Sequence, residues 1–376
     1  MSTHAGHWGR MLVGMLAAVA ASAACSQTYR VTPLGALPAV PGSFSMGQGI
    51  NNAGQIAGVV YGAGPRAALW TASTGWRDLG TLPGYEYSVA HALNDAGVVV
   101  GDTRLYGPGT DRAFRWTSGS GMRPLNPLPG DNGSYVHAVN AAGQAAGSSF
   151  WSDGSSTRER AAIWDAFGQP MPLPGGYIAR GINDAGAVVG QTLTGEAFAW
   201  TPGTGMTSLA PPFSDALDIN NAGMVTGSMP GDAFNVRLGF VWTAAGGLNP
   251  FPQPDGAPWT DPKALNDAGI VVGSFQFPGW RSFGFVWSQA AGVRPLEELI
   301  DPGDPLFGRA IYDAWAINDK GEITAQAILP DGSVGILLTP VPEPAAFALL
   351  ATGLLVLGLR PTRAALSCRC DRRRSS

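Results

Sequence analysis

Outside the first 24 residues only two histidines occur in the 376-residue chain, His91 and His137. Each stands three residues before an Asn that recurs along the sequence. Gln48, Arg180, Leu217, Lys263 and Trp315 hold the same place in the other copies, and their neighbours are mostly Gly or Ala, as a crowded strand beside an axis requires. A large, mostly polar position on a strand of small residues suggests a ligand-binding ring of Gln48, His91, His137, Arg180 and Lys263 pointing into a central channel. The alternative is a solvated strand face that varies freely. Two histidines from neighbouring copies lack the further ligands that zinc needs, so neither a metal nor another cofactor is expected.

The recurring Asn-Asp turns invite a calcium reading, but calcium takes six to eight oxygens and a single carboxylate in a tight turn supplies too few. Structural turn chemistry is the better reading. Trp70, Trp116, Trp164, Trp200, Trp242 and Trp287 recur at one fixed place, which fits packing better than sugar stacking. The less regular Tyr85, Tyr87, Tyr135, Trp151, Trp259, Trp280 and Tyr312 are the better carbohydrate-stacking candidates, expected mostly in loops. No nucleophile elbow, phosphate loop or zinc-helix motif occurs, and no residue is assigned as catalytic. Carboxylates are numerous, but no two are singled out as a glycosidase pair.

The elements that would position these residues follow from composition and period. Gly and Pro number 53 and 30, only 13% of residues are charged and 45% are hydrophobic. Such a chain is neither disordered nor collagen-like, and many turns between short apolar runs describe an all-β protein. The motif aliphatic-Asn-x-x-Gly occurs seven times, at Asn51, Asn94, Asn140, Asn183, Asn220, Asn266 and Asn318, spanning 267 residues in six steps. Asn opens a tight turn and Gly closes it at positive φ. Runs such as Val98-Val99-Val100-Gly101 follow as strands, a third strand ends in Trp, and a fourth carries a Leu-Pro pattern such as Leu79-Gly80-Thr81-Leu82-Pro83.

Four strands in about 44 residues make a propeller blade, so residues 29–339 are expected to form a seven-bladed β-propeller. The chain starts on a lone fourth-type strand near Arg30–Pro38, and its last repeat lacks one. The N-terminal strand should therefore complete the last blade and remove two open edges. An open solenoid would need caps instead.

Both ends carry sorting features. Residues 1–24 read as an export signal, with Arg10, an apolar run and Ala21-Ser22-Ala23; Cys25 is a candidate for acylation. All three cysteines lie in the terminal segments, so the body holds no disulfide. Residues 29–344 contain 26 acidic and 16 basic residues, a net −10, which argues against nucleic-acid binding.

At the C-terminus, Val341-Pro342-Glu343-Pro344 precedes the apolar run Ala345 to Leu359, then Arg360 and Arg363. That run spans roughly 22 Å as a helix, a marginal or transient membrane anchor against a ~30 Å hydrocarbon core. The arrangement over 341–363 resembles the PEP-CTERM sorting domain of Gram-negative bacteria; residues 364–376 are a basic tail. The resemblance implies processing by an exosortase-type enzyme on the way to the cell surface or an extracellular polymer matrix.

The repeat itself resembles the HAF repeat of bacterial extracellular proteins, through Asp78-Leu79-Gly80-Thr81-Leu82-Pro83-Gly84, Ala92-Leu93-Asn94-Asp95-Ala96-Gly97 and Ala113-Phe114-Arg115-Trp116. Where that family usually has His before the Ala-Phe pair, this chain has Arg66, Arg112, Arg160 and Glu196. The family has no established enzymatic activity, so the resemblance supports fold and compartment only. The expected protein is an exported, non-catalytic binding or structural module, with extracellular polysaccharide as its partner. An extracellular polysaccharide hydrolase or lyase with its site at the channel mouth is the alternative.

Overall fold

A computed structural model describes residues 27–37, 44–105, 111–233, 235–254, 256–279, 281–329 and 332–342. Each repeat folds into a four-stranded antiparallel sheet. In the first, Phe44–Ile50 is the inner strand, followed outward by Ile56–Tyr61, Pro65–Thr71 and Gly75–Gly80. The next inner strands are Tyr87–Leu93, Gly133–Val139, Gly176–Ile182, Asp215–Ile219, Trp259–Leu265 and Ile311–Ile317. The fold is a seven-bladed β-propeller. A single parallel pair, Arg237 with Trp259, joins the sheets of blades 5 and 6.

The last blade is completed from the other end of the chain. Tyr29–Pro33 pairs antiparallel with Gly332–Pro340, in register from Tyr29 opposite Pro340 to Pro33 opposite Ile336. The free edge of this N-terminal strand is covered in turn. Asp301 donates its N–H to the Tyr29 carbonyl at 2.9 Å, and Val31 donates its own to Asp304 Oδ2 at 2.8 Å. These two bonds occupy part of the edge that another chain could otherwise use.

Between the inner and second strands, the Asn turn works as its sequence suggested. Asn94 Oδ1 accepts the Val98 N–H at 3.0 Å, and Gly97, at φ 73°, donates to the Asn94 carbonyl at 3.0 Å. The same side chain reaches sideways, because Asn94 Nδ2 donates to the Asn140 carbonyl of the next blade at 2.9 Å. Every blade repeats this bond.

Cores form between blades rather than within one blade. Phe114, Phe198, Phe240 and Phe285 are fully buried on third strands, and Trp70, Trp116, Trp164 and Trp287 are at most 8% exposed. The recurrent tryptophans are thus packing residues, and Leu338, in the same place in blade 7, is also fully buried. Among the described residues no helix is long and apolar enough to cross a membrane. The export signal, Cys25, the Glu343-Pro344 half of the sorting motif, the apolar run 345–359 and the basic tail lie outside the described residues, as does Trp280.

Candidate functional site

Every inner strand carries a β-bulge, and in each blade the extra residue is the one singled out by the sequence. The ladder skips from Gly47 to Gly49, Ala90 to Ala92, Val136 to Ala138 and Ala179 to Gly181, leaving Gln48, His91, His137 and Arg180 unpaired. It skips Leu217, Lys263 and Trp315 in the same way. A bulge turns its extra side chain away from the alternation of the strand, and here seven are turned at one level round the axis. All seven are half-buried.

In six of the seven blades the bulge faces a glycine across the ladder, whereas blade 7 keeps its bulge at Trp315 opposite Ala325. A Cβ on Gly58, Gly101, Gly147, Gly190, Gly227 or Gly273 would stand 1.9–2.2 Å from a carbonyl oxygen of the inner strand. This glycine, visible as the end of runs such as Val98-Val99-Val100-Gly101, is the sequence signal that could have identified the bulge. The expected crowding at the axis is also present: a Cβ on Gly49 would lie 3.0 Å from Ala92 Cα in the next blade.

The structure brings the ring residues together in two groups. In the first, His91 Nδ1 lies 2.7 Å from Gln48 Oε1, its Nε2 lies 2.9 Å from Asp102 Oδ2, and its ring is 6.2 Å from that of His137. Asp102 also accepts the Val136 N–H at 3.1 Å, tying blade 2 to blade 3. Burial, then the neighbouring Arg180 and His91, push His137 well below the ordinary imidazole range, so it is neutral at pH 7. Its Nε2 is buried without a hydrogen-bond partner.

Arg180 pairs with Asp215 at 3.2 Å; burial raises the Asp215 carboxyl against the pull of that guanidinium. The second group centres on Lys263. Its ammonium lies 3.2 Å from Asp313, 3.5 Å from Asp261 and 3.7 Å from the centroid of Trp315. Leu217 separates the two groups on one side.

Sequence reasoning missed Asp102, Asp215, Asp261 and Asp313. The last three stand two residues before the ring position in three successive blades, a recurrence that was available to find them. A fifth carboxylate, Asp218, replaces the Gly or Ala found next to the ring position in the other blades. Its Oδ2 accepts the Leu265 N–H at 2.9 Å, and desolvation pushes it up to about 7 against its two backbone hydrogen bonds.

The propeller has two dissimilar faces. The Asn turns and the hairpins between third and outer strands share one face, as the approach of Gly143 to Ala166 and of Gly186 to Pro202 shows. There a cavity of about 230 Å³ is lined by the seven Asn turns. Its carboxylates are already engaged. Asp95, Asp184, Asp267 and Asp319 each accept a backbone N–H from the preceding blade. Asn52 Nδ2 bridges Asp95 to Asp319, and Asn221 Nδ2 bridges Asp184 to Asp267. This is turn chemistry, as the sequence indicated. No cluster of three or more metal-ligating side chains occurs among the described residues.

The other face holds the starts of the inner strands and the hairpins between second and third strands. Among the described residues, eight of the eleven exposed large hydrophobic side chains fall there: Phe44, Leu105, Trp151, Tyr177, Leu193, Phe213, Trp259 and Ile328. The irregular aromatics do not lie mostly in loops. Tyr87, Tyr135, Trp151, Trp259 and Tyr312 are in strands, within the strand ends that reach this face; only Tyr85 is in a loop. Several are held internally: Tyr135 stacks on Phe150 and bonds Asp111 at 2.9 Å, Tyr312 bonds Gln326 and Ser333, and Trp259 Nε1 donates to the Asn235 carbonyl.

No protein-family model and no curated protein matches the sequence. Solved structures match the fold. The β-propeller domain of the Trilobed protease from Pyrococcus furiosus, which has an open velcro topology, aligns over 80% of this chain and 98% of its own, with a TM-score of 0.52 at 8% identity. An acylaminoacyl peptidase from Pyrococcus horikoshii aligns over 85% of this chain and 54% of its own, with a TM-score of 0.53 at 9% identity. TolB from Acinetobacter baumannii aligns over 64% of this chain at 14% identity, with a TM-score of 0.46. The chain covers 63% of that TolB and about half of the peptidases. At such identities the likeness concerns the propeller alone.

Proposed function

We propose that this protein is an exported, non-catalytic propeller of the HAF-repeat type that binds polysaccharide at the cell surface or in the extracellular matrix of a Gram-negative bacterium. One observation supports the reading: eight of the eleven exposed large hydrophobic side chains among the described residues lie on one face, opposite the acidic Asn turns. The bulged ring of Gln48, His91, His137, Arg180 and Lys263 supplies polar contacts at the axis beneath that face. The chain enters at Tyr29 and leaves at Pro340 on the Asn face. In this reading a signal at 1–24 exports the chain, and an exosortase-type enzyme acts at Pro342-Glu343-Pro344 with 345–359 as a transient anchor.

The test has two parts. Secretion of a tagged protein should fail to reach the surface or matrix when Pro342-Glu343-Pro344 is replaced, and the purified protein should bind polysaccharide from the producing cell without releasing shortened products. Binding to none of that cell's polysaccharides would sink the proposal.

A polysaccharide hydrolase or lyase is the second reading, favoured by the convergence of Asp261 and Asp313 on Lys263 near the axis. Product formation that disappears in Asp313→Asn would establish it.

A further inference from the structure

A second cavity, of about 330 Å³, lies between blades 1 and 2 on the aromatic face. This volume is at the lower end of the ~300–1,000 Å³ common for small-ligand sites. Tyr87 forms one wall, where the inner strand of blade 2 begins. Its ring sits against Gly64 so closely that a Cβ there would fall 2.3 Å from Tyr87 Cε1. Glycine in the 62–64 hairpin is therefore what lets the ring stand in the cavity. Leu37 and Val60 add apolar surface. On the polar side, Arg66 Nε donates to Asp78 Oδ2 at 3.2 Å, with both side chains more than one-third exposed, and Glu86 is exposed beside them.

We infer that this cavity is a subsite for one neutral hexopyranose unit of a polysaccharide chain; the inference rests on the polysaccharide reading above. A pyranose presents an apolar C–H face and a rim of hydroxyls that both donate and accept. An aromatic wall takes the first, and a planar guanidinium beside carboxylates takes the second, since vicinal hydroxyls can bridge donor and acceptor groups. The cavity's one cation is already paired with Asp78 and Glu86 stands close by, so a phosphate or uronate would meet net negative charge. That selects a neutral sugar over an anionic one.

The experiment titrates the full chain with neutral glucose, mannose and galactose oligosaccharides, and with polygalacturonate as the anionic comparison, by calorimetry. At least one neutral oligosaccharide should bind the parent protein. Tyr87→Ala and Gly64→Ala should each weaken it ten-fold or more, Tyr87→Phe should retain it within about two-fold, and Phe167→Ser on the opposite face should leave it unchanged. Thermal melts of each variant separate lost binding from lost folding. Undiminished binding in folded Tyr87→Ala and Gly64→Ala overturns the subsite while leaving polysaccharide binding in place. Binding of polygalacturonate alone also overturns the subsite. Failure of the parent protein to bind any member of the panel, or any polysaccharide from the producing cell, overturns both.

Discussion

Asn318 Nδ2 donates to the Asn51 carbonyl at 3.0 Å, across 267 residues of sequence. It is the last of seven such bonds, which run from Asn51 to Asn94, Asn140, Asn183, Asn220, Asn266 and Asn318 in turn. Apart from the Arg237–Trp259 pair between blades 5 and 6 the blades are separate sheets, so this side-chain ring and the N-terminal strand tie them into one ring. Each Asn amide does two jobs: its oxygen holds its own turn and its nitrogen holds the neighbour.

Asn183→Asp separates these jobs. The carboxylate can still accept from Ala187 N–H, but it cannot donate to the Asn220 carbonyl and meets it as a repulsive partner. A loss of about 2–3 kcal/mol is expected, in the range for a buried hydrogen-bonding group left unpaired. Denaturant unfolding measures it; a change below about 0.5 kcal/mol would show that the ring contributes little.

The bulge makes its own demand. In Gly101→Ala the new methyl would stand 2.0 Å from the Val89 carbonyl oxygen and 2.8 Å from Phe114, so His91 must shift or the blade must open. The expected cost is about 1–3 kcal/mol, as for overpacking, since blade 7 carries Ala325 at the equivalent place. Gly119→Ala, with nothing within 4 Å of the added carbon, should be close to neutral. Equal melting temperatures for the two variants would refute the account of the bulge.

Asp218 links stability to pH. Its folded carboxyl is pushed up to about 7 from an ordinary 3.8, so between these values the native state holds a proton that the unfolded chain has released. Stability therefore falls as pH rises through this window, by at most about 1.4 kcal/mol per unit. Asp218→Asn removes the titrating proton and should flatten this part of the curve; its amide nitrogen cannot accept one of the two backbone N–H groups of Ile219 and Leu265, so a pH-independent loss of stability is expected as well. Parallel curves for the two proteins between pH 4 and 8 would contradict the assignment.

The N-terminal strand can be tested as a latch. Removal of residues 29–33 leaves the Gly332–Pro340 edge open, and an open edge pairs with other chains. Dimers or larger species should appear in light scattering after size exclusion. The milder Asp304→Ala removes the acceptor for Val31 N–H and for Leu306 N–H, and should cost about 1–3 kcal/mol while the protein stays monomeric. A monomeric, fully stable deletion variant would show that the strand is dispensable.

Much of this architecture was legible in the chain because local chemistry repeats. Asn and Gly specify the same turn seven times, β-branched runs specify the strand after it, and the mismatch of phase at the two ends required Tyr29–Pro33 to pair with Gly332–Pro340. The level of Gln48, His91, His137, Arg180 and Lys263 was legible too, as a large polar position among small ones. Their partners were not. Asp102 meets His91 from the second strand of its own blade, Asp215 meets Arg180 from the next blade, and Asp313 meets Lys263 across another blade boundary. Nor did spacing reveal the division of the molecule into an acidic face and an aromatic one. Period and turn chemistry are local and act on a few residues at a time. Which side chains share a channel, or a face, depends on strand direction and on the closing of the ring, which bring together residues as far apart as Asn51 and Asn318.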